Sequence, residues 1–316
     1  MSKTFRRAAM SSICMLIVAV MSLTGATYAW FSSADQAVVD TLNVSVIDAA
    51  GGVEISTDMV NWTSNLTTGL PNLANCKFKP ISTVETLTNG AFAFYGATLG
   101  TDKNTITTKT AADSELAANT SGWVEFTLYF RNTSATQPVN IDLWGTTISA
   151  LEVTGDNAEV QNKANADVLK AVRLGMADWG DIAIAEGVTT TSFTSAPTTG
   201  LIYEPNATVH TTNGVLDGAV EGQAHTYYGV SGVTDNAINR KAAAAGVLTQ
   251  VNTKKELTDM TITVDANSYA KVTFYLWIEG QDADCQNDVA NTSFKLDLKL
   301  TSLASELRNA QQPEGN

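Results

Sequence analysis

The sequence at positions 124–131 reads Val-Glu-Phe-Thr-Leu-Tyr-Phe-Arg, so apolar residues alternate with more polar ones. Side chains on a strand point alternately to the two faces of a sheet, and this spacing predicts a strand with one buried face. The same period recurs at 42–46, 139–143, 260–264, 272–278 and 294–300. Turn-like residues at 132–138 indicate a hairpin or a short connection between sheets. Together these segments predict an all-β fold, most economically an antiparallel two-sheet sandwich.

Helical patterns are few in this chain. Residues 158–169 and 236–251 could each form a short helix. Residues 178–258 are rich in Gly, Thr and Asn, which favours a loop-rich insertion with short strands of its own. The polar residues 305–316 are typical of a flexible tail. We therefore expect a single β domain over residues 30–304.

The N-terminus has the layout of a secretory signal peptide. Three basic residues lie within the first seven, and the apolar run 13–23 is shorter than the roughly 20 residues that a membrane span needs. The small side chains at positions 27 and 29 fit the pocket of a signal peptidase. We therefore predict cleavage between Ala29 and Trp30, which removes residues 1–29. The alternative is an uncleaved anchor, because residues up to Phe31 extend the apolar run.

Cleavage would leave a secreted, strongly acidic chain with no stable membrane insertion. The net charge is −13, and the leader carries three basic and no acidic residues, so its removal gives about −16. Such a chain repels nucleic acid and anionic lipid, and neither is an expected partner. With 44% hydrophobic and 16% charged residues, the composition excludes a disordered protein.

Two cysteines, Cys76 and Cys285, remain after the leader is removed. In an exported chain they are candidates for one disulfide that closes a long loop, and two free buried thiols are the alternative. Neither cysteine belongs to a Cys-x-x-Cys pair, so the spacing does not indicate a metal site.

Catalysis requires a positioned nucleophile, base or metal, and the chain shows no motif that supplies one. His-Glu-x-x-His, Gly-x-Ser-x-Gly, Gly-x-Gly-x-x-Gly and a phosphate-binding loop with lysine are all missing from the sequence. We predict no catalytic residue and no cofactor, and therefore not an enzyme.

An acidic cluster follows the strand pattern at 272–278. Its carboxylates have the alternating spacing that suits Ca²⁺, and its members are Glu279, Asp282, Asp284 and Asp288. The spacing departs from an EF-hand loop. The plainer interpretation is a solvated turn held by Cys285, and a Ca²⁺ site is the alternative.

The region around the cleavage point carries a resemblance. Residues 25–31 read Gly-Ala-Thr-Tyr-Ala-Trp-Phe, and Thr-Leu-Asn-Val-Ser follows at 41–45. Over about residues 20–47 the chain resembles the TasA and camelysin (CalY) family of bacterial biofilm-matrix proteins. Signal peptides of that family end in a similar segment and are cut by a SipW-type signal peptidase. Residues 274–280 and 294–300 are also similar to exported proteins with this kind of leader.

The resemblance implies a jelly-roll type of sandwich and a non-enzymatic structural subunit that polymerises into extracellular fibres. In the family the freed N-terminus becomes a strand of the neighbouring subunit. Here the donor would come from residues 30–40 of the first-strand segment 30–47, and the candidate side chains are Trp30, Phe31, Ala37 and Val39. The alternative is an ordinary first strand within its own subunit. The metalloprotease activity described for camelysin-type members is not carried over, because no zinc-protease motif is present.

A second function belongs to another class. A secreted or surface-displayed adhesive module could bind glycan or protein through the loops of 178–258, with aromatic residues that stack on sugars. The candidates are Trp179, Tyr203, Tyr227 and Tyr228. Aromatic residues in such loops also serve as anchors that hold a loop to the body of the domain.

Overall fold

The structure is a computed structural model of the full chain. It describes residues 38–47, 53–66, 68–73, 78–81, 83–86, 92–99, 105–111, 117–155, 158–193, 196–197, 199–203, 209–212, 215–218, 242–243, 257, 260–279 and 292–302. All of these belong to one compact unit, Gln36–Asn316.

Strands dominate the described residues. In chain order they are β1 (Val38–Ile47), β2 (Val53–Ser56), β3 (Asn65–Leu66), β4 (Thr83–Thr86), β5 (Phe92–Leu99), β6 (Thr105–Ala111), β7 (Trp123–Asn132), β8 (Val139–Ile141), β9 (Thr147–Ala150), β10 (Val172–Ala183), β11 (Thr199–Tyr203), β12 (Val209–Thr212), β13 (Val215–Gly218), β14 (Ala242–Ala243), β15 (Ile262–Val264), β16 (Ser268–Ile278) and β17 (Ser293–Thr301). One helix, α1 (Ala158–Val168), leads into a 3₁₀ turn at Leu169–Ala171, and a second 3₁₀ turn spans Thr190–Ser192.

The largest sheet has five strands in the order β11-β10-β16-β7-β2, and each neighbouring pair is antiparallel. Its centre is the long β16, which pairs with β7 from Ser268 opposite Asn132 to Trp277 opposite Trp123. The even positions of β7 are buried, as the alternation at 124–131 predicts. The opposite face of the sheet carries Trp123, Tyr275 and Trp277, and the last two are also buried.

A small sheet covers part of that opposite face. Strand β5 of the sheet β14-β6-β5-β4 places Phe94 on Trp123, with ring centroids 4.2 Å apart and planes within 9°. Phe92 lies against Tyr275, with centroids 4.8 Å apart. Gly175 makes this approach possible, because a Cβ at its position would lie 3.0 Å from Trp277 and 3.1 Å from Phe92. Aromatic pairs of this kind add about 0.5–1.5 kcal/mol each beyond their buried area.

The remaining strands form a four-stranded sheet, β3-β1-β17-β9, and two two-stranded sheets, β15-β8 and β12-β13. The mostly antiparallel, all-β character is thus confirmed, with one correction. β1 runs parallel to β17, and β14 runs parallel to β6. The sequence pattern alone does not distinguish these directions, because alternation is the same in parallel and antiparallel strands when one face is buried.

Each of the six strand patterns predicted from alternation overlaps an observed strand, namely β1, β7, β8, β15, β16 and β17. Two of the strands are shorter than predicted, since β8 ends at Ile141 and β15 begins at Ile262. The helix predicted at 158–169 is confirmed as α1. Residues 132–138 form a connection between two sheets and not a hairpin. β7 pairs with β16 and β2, whereas β8 pairs with β15.

Three other predictions need correction or lie outside the described residues. Within the second predicted helix, Ala242–Ala243 form strand β14, so the helix is wrong there. Strand β10 continues to Ala183, inside the range predicted as a loop-rich insertion from residue 178. The tail 305–316 lies outside the described residues.

None of the helices in the described part of the chain is long and apolar enough to cross a membrane.

Candidate functional site

The first and last of the described strands lie side by side. β1 pairs with β17 from Val38 opposite Ser293 to Ile47 opposite Thr301. Parallel neighbours cannot be joined by a short hairpin, and all the other strands lie between these two in sequence. Pairing and packing therefore hold β1 in its sheet, with no tight turn connecting it to β17.

The two strands share one buried side. Val44 lies opposite Leu298, and both are fully buried. Leu296 and Leu300 continue the buried row on β17. Each such side chain contributes roughly 1.5–3 kcal/mol when it is removed from water. On the outer side, Asn43 Nδ2 donates to Asp297 Oδ1 at 2.6 Å.

A bulge interrupts the ladder near the start of β1. Val39 pairs with Phe294 and Thr41 pairs with the next residue, Lys295, so the register skips Asp40. An extra residue of this kind locally breaks the hydrogen-bond ladder and bends the strand. It separates the described residues 38–39 of β1 from residues 41–47.

The other edge of β1 is covered over part of its length. β3 pairs with Val44 and Ser45, and the Val46 N–H donates to the Ser64 carbonyl at 2.9 Å. Beside this contact lies an outer groove of about 660 Å³. Its lining comes from β1, β3, β17 and the segment that follows β3, and includes Asn43, Asp297, Lys299, Thr68, Leu70 and Pro71.

β17 is fixed by contacts that do not involve β1. Asn165 of α1 is fully buried, and its Oδ1 accepts the Ser293 N–H at 2.8 Å. The Leu151 N–H donates to the Ser293 carbonyl at 3.0 Å. Further along, the Thr146 hydroxyl accepts from the Lys299 N–H at 2.9 Å and donates to its carbonyl at 3.2 Å. β17 therefore has a supporting frame that would remain if β1 were to leave.

The predicted donor residues are placed only in part. Val39 lies in β1 and pairs with Phe294 of its own chain, as the alternative of an ordinary first strand expects. The cleavage residues Ala29 and Trp30, the donor candidates Phe31 and Ala37, and the cysteines Cys76 and Cys285 lie outside the described residues.

Of the acidic cluster, the structure describes Glu279 alone. Its side chain is fully buried, and its Oε2 accepts from Trp277 Nε1 at 3.4 Å. Its backbone N–H donates to the Ala171 carbonyl at 2.7 Å. Asp282, Asp284 and Asp288 lie outside the described residues. Within the described ranges, groups of three or more possible metal ligands are not found, and Ca²⁺ binding stays a prediction.

Of the aromatic residues proposed for adhesion, Trp179 packs on its own sheet. Its Nε1 donates to Thr273 Oγ1 at 3.0 Å, and Lys271 Nζ lies 3.7 Å from the ring centroid. Tyr203 ends β11 and is partly buried. Tyr227 and Tyr228 lie outside the described residues. Trp179 thus belongs to strand β10 and contacts the neighbouring strand β16, and the adhesive function stays a prediction.

An acidic group that the sequence analysis missed lies at the bulge of β10. Asp181 Oδ2 accepts the Asp265 N–H at 2.6 Å. Burial raises the pKa of Asp181 from 3.8 to about 6. The nearby charges of Asp265 and Asp178 add to this rise, and the hydrogen bond from Asp265 opposes it. Burial also raises the pKa of Asp178, whose carboxylate accepts the Gly180 N–H at 2.8 Å.

These shifts predict that Asp181→Asn stabilises the fold at neutral pH. The folded state holds the Asp181 proton more tightly than the unfolded chain does. Proton binding by Asp181 therefore makes its full contribution to the stability of the fold below about pH 4. That contribution is lost as the pH rises through about 6. Asparagine keeps the acceptor and carries no charge. After allowance for solvent around the partly exposed carboxylate, we expect a gain of about 1–2 kcal/mol at pH 7.5 and almost none at pH 4.

Thermal melts at both pH values measure this effect. Glu186→Gln, an exposed carboxylate in the turn after β10, is the matched control and should change neither melt. Destabilisation by Asp181→Asn at pH 7.5 would contradict the assignment.

Two features of the β1–β17 site were also missed. Asn165 occupies a buried position of a helix, where a polar side chain requires hydrogen-bond partners. Asp40 precedes the alternating pattern at 42–46 as an additional polar residue, a weak signal for a bulge. Ser293, which donates to Asn165, and the strand that lies beside Asp40 both come from a distant part of the chain, so no local pattern identifies the two features.

Comparisons with family models, with curated proteins and with solved structures gave no match.

Proposed function

We propose that this chain is an exported, non-enzymatic structural subunit of an extracellular fibre or biofilm matrix, in which the mature N-terminal strand of one subunit is donated to the next. The observation that carries the proposal is the parallel pairing of β1 with β17. A strand near the start of the chain completes a sheet beside the last described strand, and no hairpin connects the two.

Strand exchange needs a site that is preserved when the strand leaves. Departure of the donor would expose the buried Phe294 on that edge of β17, beside unpaired backbone groups of Ser293 and Phe294. Both are unfavourable, and the same strand of a second copy restores both with identical contacts. Asn165, β9 and Thr146 keep β17 in place in the meantime.

The direction of donation determines the kind of assembly. Each subunit gives a strand at its N-terminus and receives one beside β17, so donor and acceptor surfaces differ. Such head-to-tail contacts build open filaments when the rotation between subunits does not close a ring. The same proposal includes the leader and its cut by a SipW-type signal peptidase between Ala29 and Trp30. It also includes a jelly-roll arrangement of the sheets and an extracellular location.

Electron microscopy of the processed chain tests the proposal. We expect fibres from the chain that begins at Trp30, and folded monomers from a variant that lacks residues 30–40. A synthetic peptide of residues 30–40, added in excess, should shorten the fibres because it occupies the acceptor. A peptide of the same composition in scrambled order is the control. Monomers from the intact chain, with a normal thermal melt, would contradict strand donation.

A further inference from the structure

We infer that the outer groove beside β1 and β17 binds an uncharged oligosaccharide. The groove holds about 660 Å³, which lies within the roughly 300–1,000 Å³ of typical ligand sites. The lining residues that the structure describes begin at Leu42, after the proposed donor residues 30–40, and none of them falls within 178–258. The inference therefore goes beyond the proposed function, and the two can fail separately.

The floor of the groove is a row of polar side chains on three neighbouring strands. Asn65 of β3 pairs with Ser45 of β1, and Ser45 pairs in turn with Lys299 of β17. Asn43 and Asp297 form another register pair two residues along on the same side of the sheet. All five line the groove and are exposed or partly buried, whereas the residues between them on β1 and β17 are buried.

An apolar wall comes from the segment that follows β3. Leu70 and Pro71 line the groove and are partly buried, and Leu73 further on is buried. Gly69 has a φ of +83°, and a Cβ at its position would overlap with the hydroxyl of Thr57. Glycine thus allows this segment to lie against the residue that follows β2. The wall is part of the fold, so the groove is formed before any ligand binds.

This combination of groups suits a sugar ring. Sugar hydroxyls both donate and accept hydrogen bonds, and the floor offers amides, a hydroxyl, an ammonium group and a carboxylate. The C–H face of the ring is apolar and can lie against the apolar wall. Asn43 Nδ2 donates to Asp297 Oδ1 at 2.6 Å, which orients the carboxylate and leaves its other lone pairs to accept from a ligand.

Charge and backbone geometry favour this class of ligand over other polymers. Among the described lining residues the charged ones are Asp297 and Lys299, and their formal charges cancel. A chain with a net charge of −13 also repels polyanions. The floor is the face of a sheet, and the backbone hydrogen bonds of a sheet run between its strands. An extended peptide on this face therefore cannot add to the sheet by backbone pairing.

Equilibrium dialysis of the processed chain against tritium-labelled hexasaccharides tests the inference, because it measures bound sugar whether or not fibres form. The uncharged probes are cellohexaose, maltohexaose and N-acetylated chitohexaose, and hexagalacturonate is the charged probe. The groove variants are Asn65→Ala and Lys299→Ala. Their matched controls are Asn140→Ala, on exposed β8, and Lys295→Ala, on the same side of β17 but not a lining residue.

We expect at least one uncharged hexasaccharide to bind with a Kd below about 1 mM and more tightly than hexagalacturonate. Each groove variant should weaken this binding about tenfold, as loss of one hydrogen bond does, and each control less than about twofold. If thermal melts show that Lys299→Ala is unfolded, Asn65→Ala alone decides the result.

Three results would overturn the inference. They are the absence of a Kd below about 1 mM for every uncharged probe, equal effects of the groove and control variants, and tighter binding of hexagalacturonate. None of them bears on fibre formation, which electron microscopy measures separately.

Discussion

Asn132→Ala should lower the free energy of unfolding by about 3 kcal/mol, one of the two largest effects that we expect from a single substitution. Asn132 ends β7 and is 1% exposed. Its Nδ2 donates to the carbonyls of Gln137, Val264 and Asp265 at 2.8, 3.1 and 3.0 Å. Its Oδ1 accepts the Ser134 N–H at 2.9 Å. One side chain thus joins the β7–β8 connection to the turn before β16.

Alanine at this position leaves the carbonyl of the buried Val264 and two partly buried carbonyls without this donor. An unpaired buried group costs about 1–3 kcal/mol. For a domain of this size the melting temperature should fall by about 5–10 °C. Asn140→Ala on the adjacent β8 is the matched control. Its amide accepts from the Thr263 hydroxyl at 2.8 Å on an exposed surface, so we expect a loss below about 0.5 kcal/mol. Equal losses from the two variants would contradict the role given to Asn132.

Trp277→Ala should cost about 3–5 kcal/mol, the range for truncation of a buried tryptophan. Trp277 is 1% exposed and lies between the main sheet and the small sheet. Its ring centroid is 5.6 Å from that of Phe94 and 6.1 Å from that of Phe92. Removal of the indole leaves a cavity beside Gly175. The surrounding rings pack against one another, so they cannot move far enough to fill it.

Denaturant unfolding measures the loss, and near-UV circular dichroism reports the aromatic cluster. Trp62→Ala is the control, since this partly buried indole stacks on Tyr269 at 5.5 Å and lies 4.6 Å from the Arg131 guanidinium. We expect a cost of about 1–2 kcal/mol there. A Trp277 variant no less stable than the Trp62 variant would show that the two sheets are not joined through this cluster.

Alternation predicted the strands that have one buried and one more exposed face. Strands β7 and β17 show this pattern along almost their whole length, and both were found at nearly the correct boundaries. β10 was missed because its first six residues are all buried, which removes the period-two signal. Its remaining residues include Gly180 and two aspartates, which are typical of a loop but here form a bulge.

The candidate site was predicted in outline, and its decisive geometry was not. The sequence indicates a first strand at 42–46 and a last strand at 294–300, both confirmed as β1 and β17. That these strands are parallel neighbours depends on contacts across the whole fold. The same is true of the frame around Ser293, since Asn165 lies 128 positions away in sequence. Local patterns carry no information about such pairings.

Cross-linking between two single-cysteine chains tests the central claim most directly. A Val38→Cys chain and a Ser293→Cys chain, both with Cys76→Ser and Cys285→Ser, are mixed under fibre-forming conditions and oxidised with diamide. Strand donation predicts a disulfide between the two chains at the register pair 38–293. A mixture of Asn43→Cys and Asp297→Cys chains should give none. Absence of the 38–293 cross-link between chains, while the double variant forms it within one chain, would contradict the account.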